Sequence, residues 1–343
     1  MPGEHGRLRG GLKSVMLRTG ASHWFSMEDC LQIKSLARLA VQAEVTFRAA
    51  RARSTTRAYE HDCAHFQGWC EQNGFVPYPA APEAVVLYAT DLVKNRGAKL
   101  NTLARRLAAI SQMHQQQGFE SPTRSWPVRQ YLHGLRRETG VAPARKRPVI
   151  VADLKRMVAA LPESLLGKRD RALLLIGFTG AFRRSELVAL NVEDVEETTE
   201  GLILTIRRGK TDQAGEGRKV GIPAGVDLGT CPVHALHEWR QAAHIESGAL
   251  FRVMNRHGRL LGRRLSAEAV AIVVKRSVRQ LGYDPALFAG HSLRAGLATS
   301  AAGAGKSERA IMNQTGHRSV VTVRRYIRDG SLFRENAAGG IGL

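Results

Sequence analysis

Residues 138–148 read Glu138-Thr-Gly-Val-Ala-Pro-Ala-Arg-Lys-Arg-Pro148, and the chain is patterned one way before this stretch and another way after it. Two prolines and a glycine oppose a helix, while the adjacent Arg145, Lys146 and Arg147 repel one another and extend the segment. The composition predicts an exposed basic linker, and such a segment can lie along a phosphate backbone. At roughly 100–200 residues per domain, a chain of 343 residues holds about two domains. The expected divisions are a basic N-terminal arm with an accessory helix over 1–44, a helical domain over 45–138, the linker over 139–148, and a longer mixed domain over 149–343.

Upstream of the linker, apolar residues recur at helical spacing. Tyr59, Cys63, Phe66, Trp69 and Cys70 form one stripe on a helix whose expected cap is Ser54 or Thr55. Pro82 opens a second helix bearing Val85, Val86, Ala89 and Leu92. A third, from about Asn101 to Gln117, turns Leu103, Leu107, Ile110 and His114 inward and leaves Arg105 and Arg106 near the opposite side, beside Lys99. A fourth spans Val128 to Arg137, and a weakly amphipathic helix is expected from about Ser26, with Leu31, Leu36, Leu39 and Ala43. Downstream, helical stretches cover about 151–161, 169–180 and 183–190, with others starting at Val233, Ser266, His291 and Ser307 and after Ser319. One strand pair stands among them, 202–206 and 218–222, joined by a polar, glycine-rich turn that carries Lys210. The predicted fold class is mainly α with a small β component, the second domain being α+β.

Lys and Arg total 51 against 30 Asp and Glu, a formal charge of +21. A positive excess of that size recruits polyanions, most commonly nucleic acid. Apolar residues at 43% and charged residues at 24% exclude wholesale disorder and a coiled-coil rod. No apolar run approaches the ~18 residues of a membrane span, and the basic N-terminus lacks the apolar core of a signal peptide. Cys30, Cys63, Cys70 and Cys231 form no disulfide framework and point to a reducing, cytoplasmic compartment. Cys231-Pro-Val-His234-Ala-Leu-His237 has no second ligand pair at finger spacing, so no metal is expected. Gly305-Lys306-Ser307 resembles the end of a phosphate-binding loop, but Ser300 stands where that loop needs glycine. A two-metal nuclease would need clustered carboxylates and a hydrolase a G-x-S-x-G elbow; neither is present.

The chemistry lies in short cationic motifs of the second domain. Phe178-Thr-Gly-Ala-Phe-Arg183-Arg-Ser-Glu186-Leu sets Arg183 and Glu186 three apart on one side of a helix, where the carboxylate can hold the guanidinium fork. Gly290-His291-Ser-Leu-Arg294 places an imidazole and a guanidinium one turn apart. Thr315-Gly-His317 opens a turn, and Tyr326 follows nine residues later in Val-Arg-Arg-Tyr-Ile-Arg. Singly, each has an ordinary explanation as a surface ion pair, a chance tetrapeptide or a core tyrosine. Their conjunction in this order is what carries information.

That order resembles the tyrosine recombinase (phage integrase) family, above all its Cre-like and plasmid or integron-type bacterial members, over nearly the whole chain from about residue 50. STTRAYEHDCAHFQGWC and LNTLARRLAAISQMH are similar to the family's core-binding domain. The resemblance implies a two-domain DNA clamp, made of a helical SAM-like core-binding domain and a tyrosine recombinase catalytic domain. It implies that Arg183, Lys210, His291, Arg294 and His317 surround a scissile phosphate, that Glu186 supports them, and that Tyr326 attacks. Guanidinium forks and imidazoles can stabilise charge driven onto the equatorial oxygens in place of a metal. A phenol of pKa about 10 needs a base, for which His291 is placed, and Lys210 is the natural proton donor to the leaving 5′ oxygen. A 3′-phosphotyrosyl bond conserves the energy of the phosphodiester, so neither ATP nor any cofactor is expected.

Two departures leave alternatives open. The T-G-x-R spacing carries one extra residue, so Arg183 or Arg184 is the reactive one, with the register of Ser185-Glu186-Leu187 favouring Arg183. The hairpin turn varies in length across the family, so Lys219 is the fallback for Lys210. Expected DNA contacts are Lys99, Arg105 and Arg106 in the helical domain and Arg145, Lys146 and Arg147 in the linker. The expected partners are double-stranded DNA bearing specific recombination sites and further copies in a homo-tetramer, with accessory DNA-bending proteins as candidates, in a bacterial cytoplasm at the nucleoid. Leu332 and Phe333 in the tail are expected to pack on a neighbouring copy. The alternative functions are a type IB topoisomerase-like relaxing enzyme and a DNA-binding protein without catalysis.

Overall fold

In the computed structural model, which describes residues 36–43, 45, 46, 53–140, 146–207, 209 and 217–331, the chain divides into two units, Met1–Pro143 and Ala144–Leu343. The first holds helices α1 (Arg53–Gln72), α2 (Pro82–Thr90), α3 (Leu100–Gln116) and α4 (Trp126–Thr139). Pro82 and Pro127 sit in the first turns of α2 and α4, where a missing backbone donor costs nothing. The core gathers Phe66, Trp69, Tyr88, Leu92, Leu103 and Ile110. Tyr88 meets the Phe66 and Trp69 rings edge-on at 5.0 and 5.4 Å, the arrangement that ring quadrupoles favour. His114 is buried as its position in the stripe predicts. Its Nε2 accepts from the Ala80 N–H at 2.9 Å and its Nδ1 meets the Ile110 carbonyl at 2.8 Å, so burial holds a neutral ring. α1 already includes Arg53, which puts Ser54 and Thr55 inside the helix rather than at its cap. Of the helix expected from Ser26, residues 36–43 are described and helical, with Leu36 and Leu39 exposed instead of packed.

The second unit contains α5 (Val151–Ala159), α6 (Leu165–Thr179), α7 (Arg184–Ala189), α8 (Pro232–Ala242), α9 (Ala267–Gln280), α10 (Ser292–Gly303), α11 (Glu308–Thr315) and α12 (Val320–Ser331). Strands β1 (Val195–Thr198), β2 (Gly201–Ile206) and β3 (Arg218–Pro223) form an antiparallel sheet in that order, and β4 (Arg252–Met254) pairs with β5 (Leu260–Arg264). In α6, Leu173, Leu174, Leu175 and Ile176 are all buried, so the second half of the helix is apolar on every side and lies within the core. Ser164, Ser266 and Ser307 cap α6, α9 and α11 by accepting from the third backbone N–H, each worth about 1 kcal/mol. Cys231 does the same for α8: its Sγ accepts from the Gly225 and His234 N–H groups at 3.2 and 3.5 Å. That accounts for the Cys-Pro-Val-His motif as a buried helix cap. No described helix is long and apolar enough to cross a membrane.

The end of the linker is docked on this second unit. Arg147 N–H donates to the Leu287 carbonyl at 2.7 Å and Val149 N–H to that of Ser292 at 3.0 Å. The Arg147 guanidinium lies over the Tyr283 ring, 4.7 Å from its centroid, and the Lys146 ammonium donates to the Ala286 carbonyl. The approach requires glycine in α10, since a Cβ at Gly296 would lie 1.8 Å from the Val149 carbonyl oxygen.

Candidate active site

The site is built around the start of α7. Arg183 holds extended backbone angles just before the helix, and Glu186, three residues on, turns back to accept its N–H at 3.0 Å. The same carboxylate, 2% exposed, accepts from the Arg183 guanidinium at 2.5 Å. A carboxylate in a first turn also suits the helix dipole. The extra residue in T-G-x-x-R is absorbed by a kink: Ala181 adopts φ 48°, a conformation costing an L-residue about 1 kcal/mol. The kink aims the Ala181 carbonyl at Arg294, whose Nη1 donates to it at 2.8 Å. Arg184 turns away; its stem covers Gly290, where a Cβ would meet the Arg184 Cδ at 2.1 Å. Arg183, not Arg184, shares the Glu186 carboxylate.

Arg294, on α10, is 1% exposed, and its Nε and Nη2 have no partner among the described residues. Burial, with Arg183 adding to it, lowers its pKa to about 10. A buried cation with free donors is costly unless an anion completes it. His291, at the N-terminus of α10, brings Nε2 to 3.2 Å from the Tyr326 hydroxyl of α12. Desolvation of the ring by its packed neighbours, although the residue keeps an exposed edge, then the charges of Arg294, Arg183 and Arg184, hold this imidazole below its ordinary value. His317 follows the left-handed Gly316 that ends α11, and its ring lies 6.0 Å from that of Tyr326. Its Nδ1 is 2.8 Å from the Thr315 hydroxyl, which itself donates to the Ile311 carbonyl at 2.7 Å. His317 therefore donates from Nδ1 and keeps Nε2 as an acceptor. Burial, then neighbouring cations led by Arg294, lower its pKa to about 4. Both imidazoles are neutral at pH 7.

Arg218 belongs to this group although the motifs pass over it. It starts β3 opposite Ile206, on the side of the strand that carries the buried Val220 and Ile222. Its Nη2 donates to Glu186 at 3.4 Å and its Nη1 to the Gln314 carbonyl at 3.2 Å. The sequence holds a signal for it: a cation at an inward position of an alternating strand. Lys219, the neighbour on the other face, pairs with Glu196 at 3.4 Å and does not join the site. Lys210 lies outside the described residues, as do Arg145, Leu332 and Phe333.

The expected DNA contacts separate into different environments. Lys99 is exposed where α3 begins. Arg105 is ion-paired to the buried Asp62 but keeps 42% of its side chain exposed. Arg106 departs from its expected outward position and is 13% exposed. Its Nη1 meets His65 Nδ1 at 2.9 Å and the Tyr88 hydroxyl at 3.0 Å, and its Nε lies 3.7 Å from Asp62. Buried polar groups in α1 and α2 pull it inward, against its helical phase. Lys146 and Arg147 are engaged by the carbonyl and rings described above rather than left projecting.

The phage integrase family pattern matches residues 150–331. An integrase/recombinase xerD homolog of Selenomonas ruminantium is 39% identical over 310 residues, spanning 89% of this chain and 90% of that protein. The recombinase cre of Escherichia phage P1 is 25% identical over 288 residues, spanning 78% and 81%. Among solved structures, the Tn1549 transposon integrase in complex with transposon right end DNA superimposes with a TM-score of 0.59 at 14% identity, covering 83% of this chain and 92% of that one. A lambda integrase dimer bound to a COC′ core site gives a TM-score of 0.56 at 16% identity, covering 85% and 94%. These two likenesses establish the mainly helical fold with small sheets.

Proposed function

The chain belongs to the phage integrase family, and from that premise we propose that it is a site-specific DNA recombinase acting through a 3′-phosphotyrosyl intermediate. The observation that carries this reading is the Tyr326 hydroxyl, 3.2 Å from a neutral His291 and beside the buried Arg294 with its unpartnered donors. In the proposed reaction the Tyr326 oxygen attacks phosphorus as its proton passes to His291 Nε2. Charge gathering on the equatorial oxygens is met by Arg183 and Arg294, groups already in place before the reaction. The 5′ oxygen leaves with a proton from Lys210. Rejoining reverses these transfers at a different 5′-hydroxyl, so the sequence draws on no nucleotide energy.

In this reading, 45–138 is the core-binding domain and 149–343 the catalytic domain, with double-stranded DNA as partner. Four copies synapse on two sites, assisted where needed by DNA-bending proteins, in the bacterial cytoplasm at the nucleoid. The +21 charge supports a large electrostatic share of affinity that weakens steeply with salt.

The test begins with a random-sequence duplex library, from which strands that become covalently attached are recovered as the target site. Wild type and Tyr326→Phe are then compared on a nicked duplex of that site by denaturing electrophoresis. An adduct with wild type and none with Tyr326→Phe is expected; an adduct that survives the substitution overturns the assignment. Exchange between two sites distinguishes recombination from relaxation of a single supercoiled circle.

A further inference from the structure

We propose that Arg218 is a positioning residue of this reaction, a crossbar that ties the carboxylate holding Arg183 to the turn presenting His317. The inference rests on the functional reading above and adds a residue to it. Glu186 is 32 residues from Arg218 in sequence and Gln314 is 96, yet one guanidinium donates to both. The Glu186 oxygen it uses, Oε2, is the one that accepts the Arg183 N–H. The Gln314 carbonyl stands directly before Thr315-Gly316-His317. The side chain also packs beneath that turn: a Cβ at Gly316 would lie 3.0 Å from Arg218 Nε and 3.1 Å from Cζ. Gln314 is fixed from its other end, its amide donating to the Thr179 and Gly221 carbonyls at 2.7 and 3.0 Å.

Desolvation is the price of placing a cation here, with the Phe182 ring centroid 5.9 Å away, and burial lowers its pKa. Both terminal nitrogens donate to protein acceptors, and it is through these that the residue acts. A planar fork can bridge two acceptors in fixed geometry, whereas an ammonium on a flexible stem holds one well.

The experiment measures single-turnover adduct formation by wild type, Arg218→Met, Arg218→Lys and Arg183→Met on a nicked duplex of the recovered site. The scissile linkage is either the natural phosphodiester or a methylphosphonate, which lacks the negative charge. Misplacement of reacting groups costs about 100-fold, so Arg218→Met is expected to lose about that in rate at saturating protein, with the half-saturating concentration within about twofold of wild type. The loss should be equal on both linkages, whereas Arg183→Met should recover on the methylphosphonate. Arg218→Lys should regain part of the rate. A rate within about threefold of wild type for Arg218→Met would refute the proposal. Recovery on the methylphosphonate would make Arg218 a direct phosphate ligand, and a loss confined to half-saturation would make it a DNA-binding residue; either overturns the crossbar. If Arg218→Met does not fold, Arg218→Lys decides, since full wild-type rate there means that charge alone suffices. An absence of adduct with wild type would count against the functional reading. The NMR titration of His317 in the free protein then tests the crossbar alone. Its midpoint, about 4 in the wild type, should rise in Arg218→Lys, which keeps the charge but not the fork, and an unmoved midpoint refutes the role.

Discussion

Replacing Glu186 by glutamine separates the charge of this carboxylate from its shape. Glu186 accepts from the Arg183 N–H, the Arg183 guanidinium and the Arg218 guanidinium, and it is the anion among three clustered guanidinium groups. Glutamine keeps an acceptor for the Arg183 N–H and so keeps the start of α7. What it loses is the compensation of Arg183, Arg218 and Arg294. Removing one partner of a buried ion pair costs about 3–5 kcal/mol. The Arg183 and Arg218 side chains keep 18% and 24% of their surface, and that access to water places the cost at the low end, about 3 kcal/mol. At about 2–4 °C per kcal/mol for a unit of this size, the melting temperature of the second unit should fall by about 6–12 °C. Duplex DNA at low salt resupplies negative charge, so the gap between Glu186→Gln and wild type should narrow when DNA is added. Circular dichroism melts of the full chain with and without DNA measure both effects. A variant that melts with wild type, or a deficit that DNA leaves untouched, would refute the view of Glu186 as the counter-ion of an anion-binding site.

The two imidazoles set a pH dependence. Their folded pKa values lie below the ordinary 6.5, His317 at about 4, so the unfolded chain takes up protons first as pH falls. Stability present at neutral pH should therefore be lost from about 6.5 downward, levelling below about 4, as urea titrations at stepped pH would record. Adduct formation should be flat from pH 8 to 7 and fall in acid as His291 loses its capacity to accept a proton; a faster reaction at pH 5 than at pH 7 would exclude it as the base. In the first unit, Lys99→Ala should reduce the salt dependence of DNA binding by about one ion and leave the melting temperature alone. Arg106→Ala should do the reverse, because it strips His65, Tyr88 and Asp62 of a buried donor. Filter binding across a salt series and thermal melts separate the two.

Helices were the most legible part of the fold, because their signals are local. Serine caps, first-turn prolines and apolar stripes announced nearly every helix, and one hairpin stood out through the apolar, β-branched run 202–206. β1 escaped because Val195–Thr198 is short and largely acidic, and β4 and β5 because their residues are only partly buried and show no clean alternation. At the site, residues within one helical turn of each other, such as Arg183 with Glu186 and His291 with Arg294, could be read from spacing. Arg218 could not be read that way, since its acceptors lie on distant segments and it is one of 51 basic residues. The inward turn of Arg106 was hidden for the same reason: Tyr88 and His65, which capture it, belong to other helices.

The docked end of the linker bears on how the second unit senses its surroundings. Lys146, Arg147 and Val149 grip the segment 286–292, and Val149 is seated against α10 at Gly296, on the helix that bears Arg294 and begins beside His291. The end of the connecting segment is thus fixed to the second unit. Its last few residues form a pin set in the floor of the second unit, and a tug on it would be felt first by His291 and Arg294.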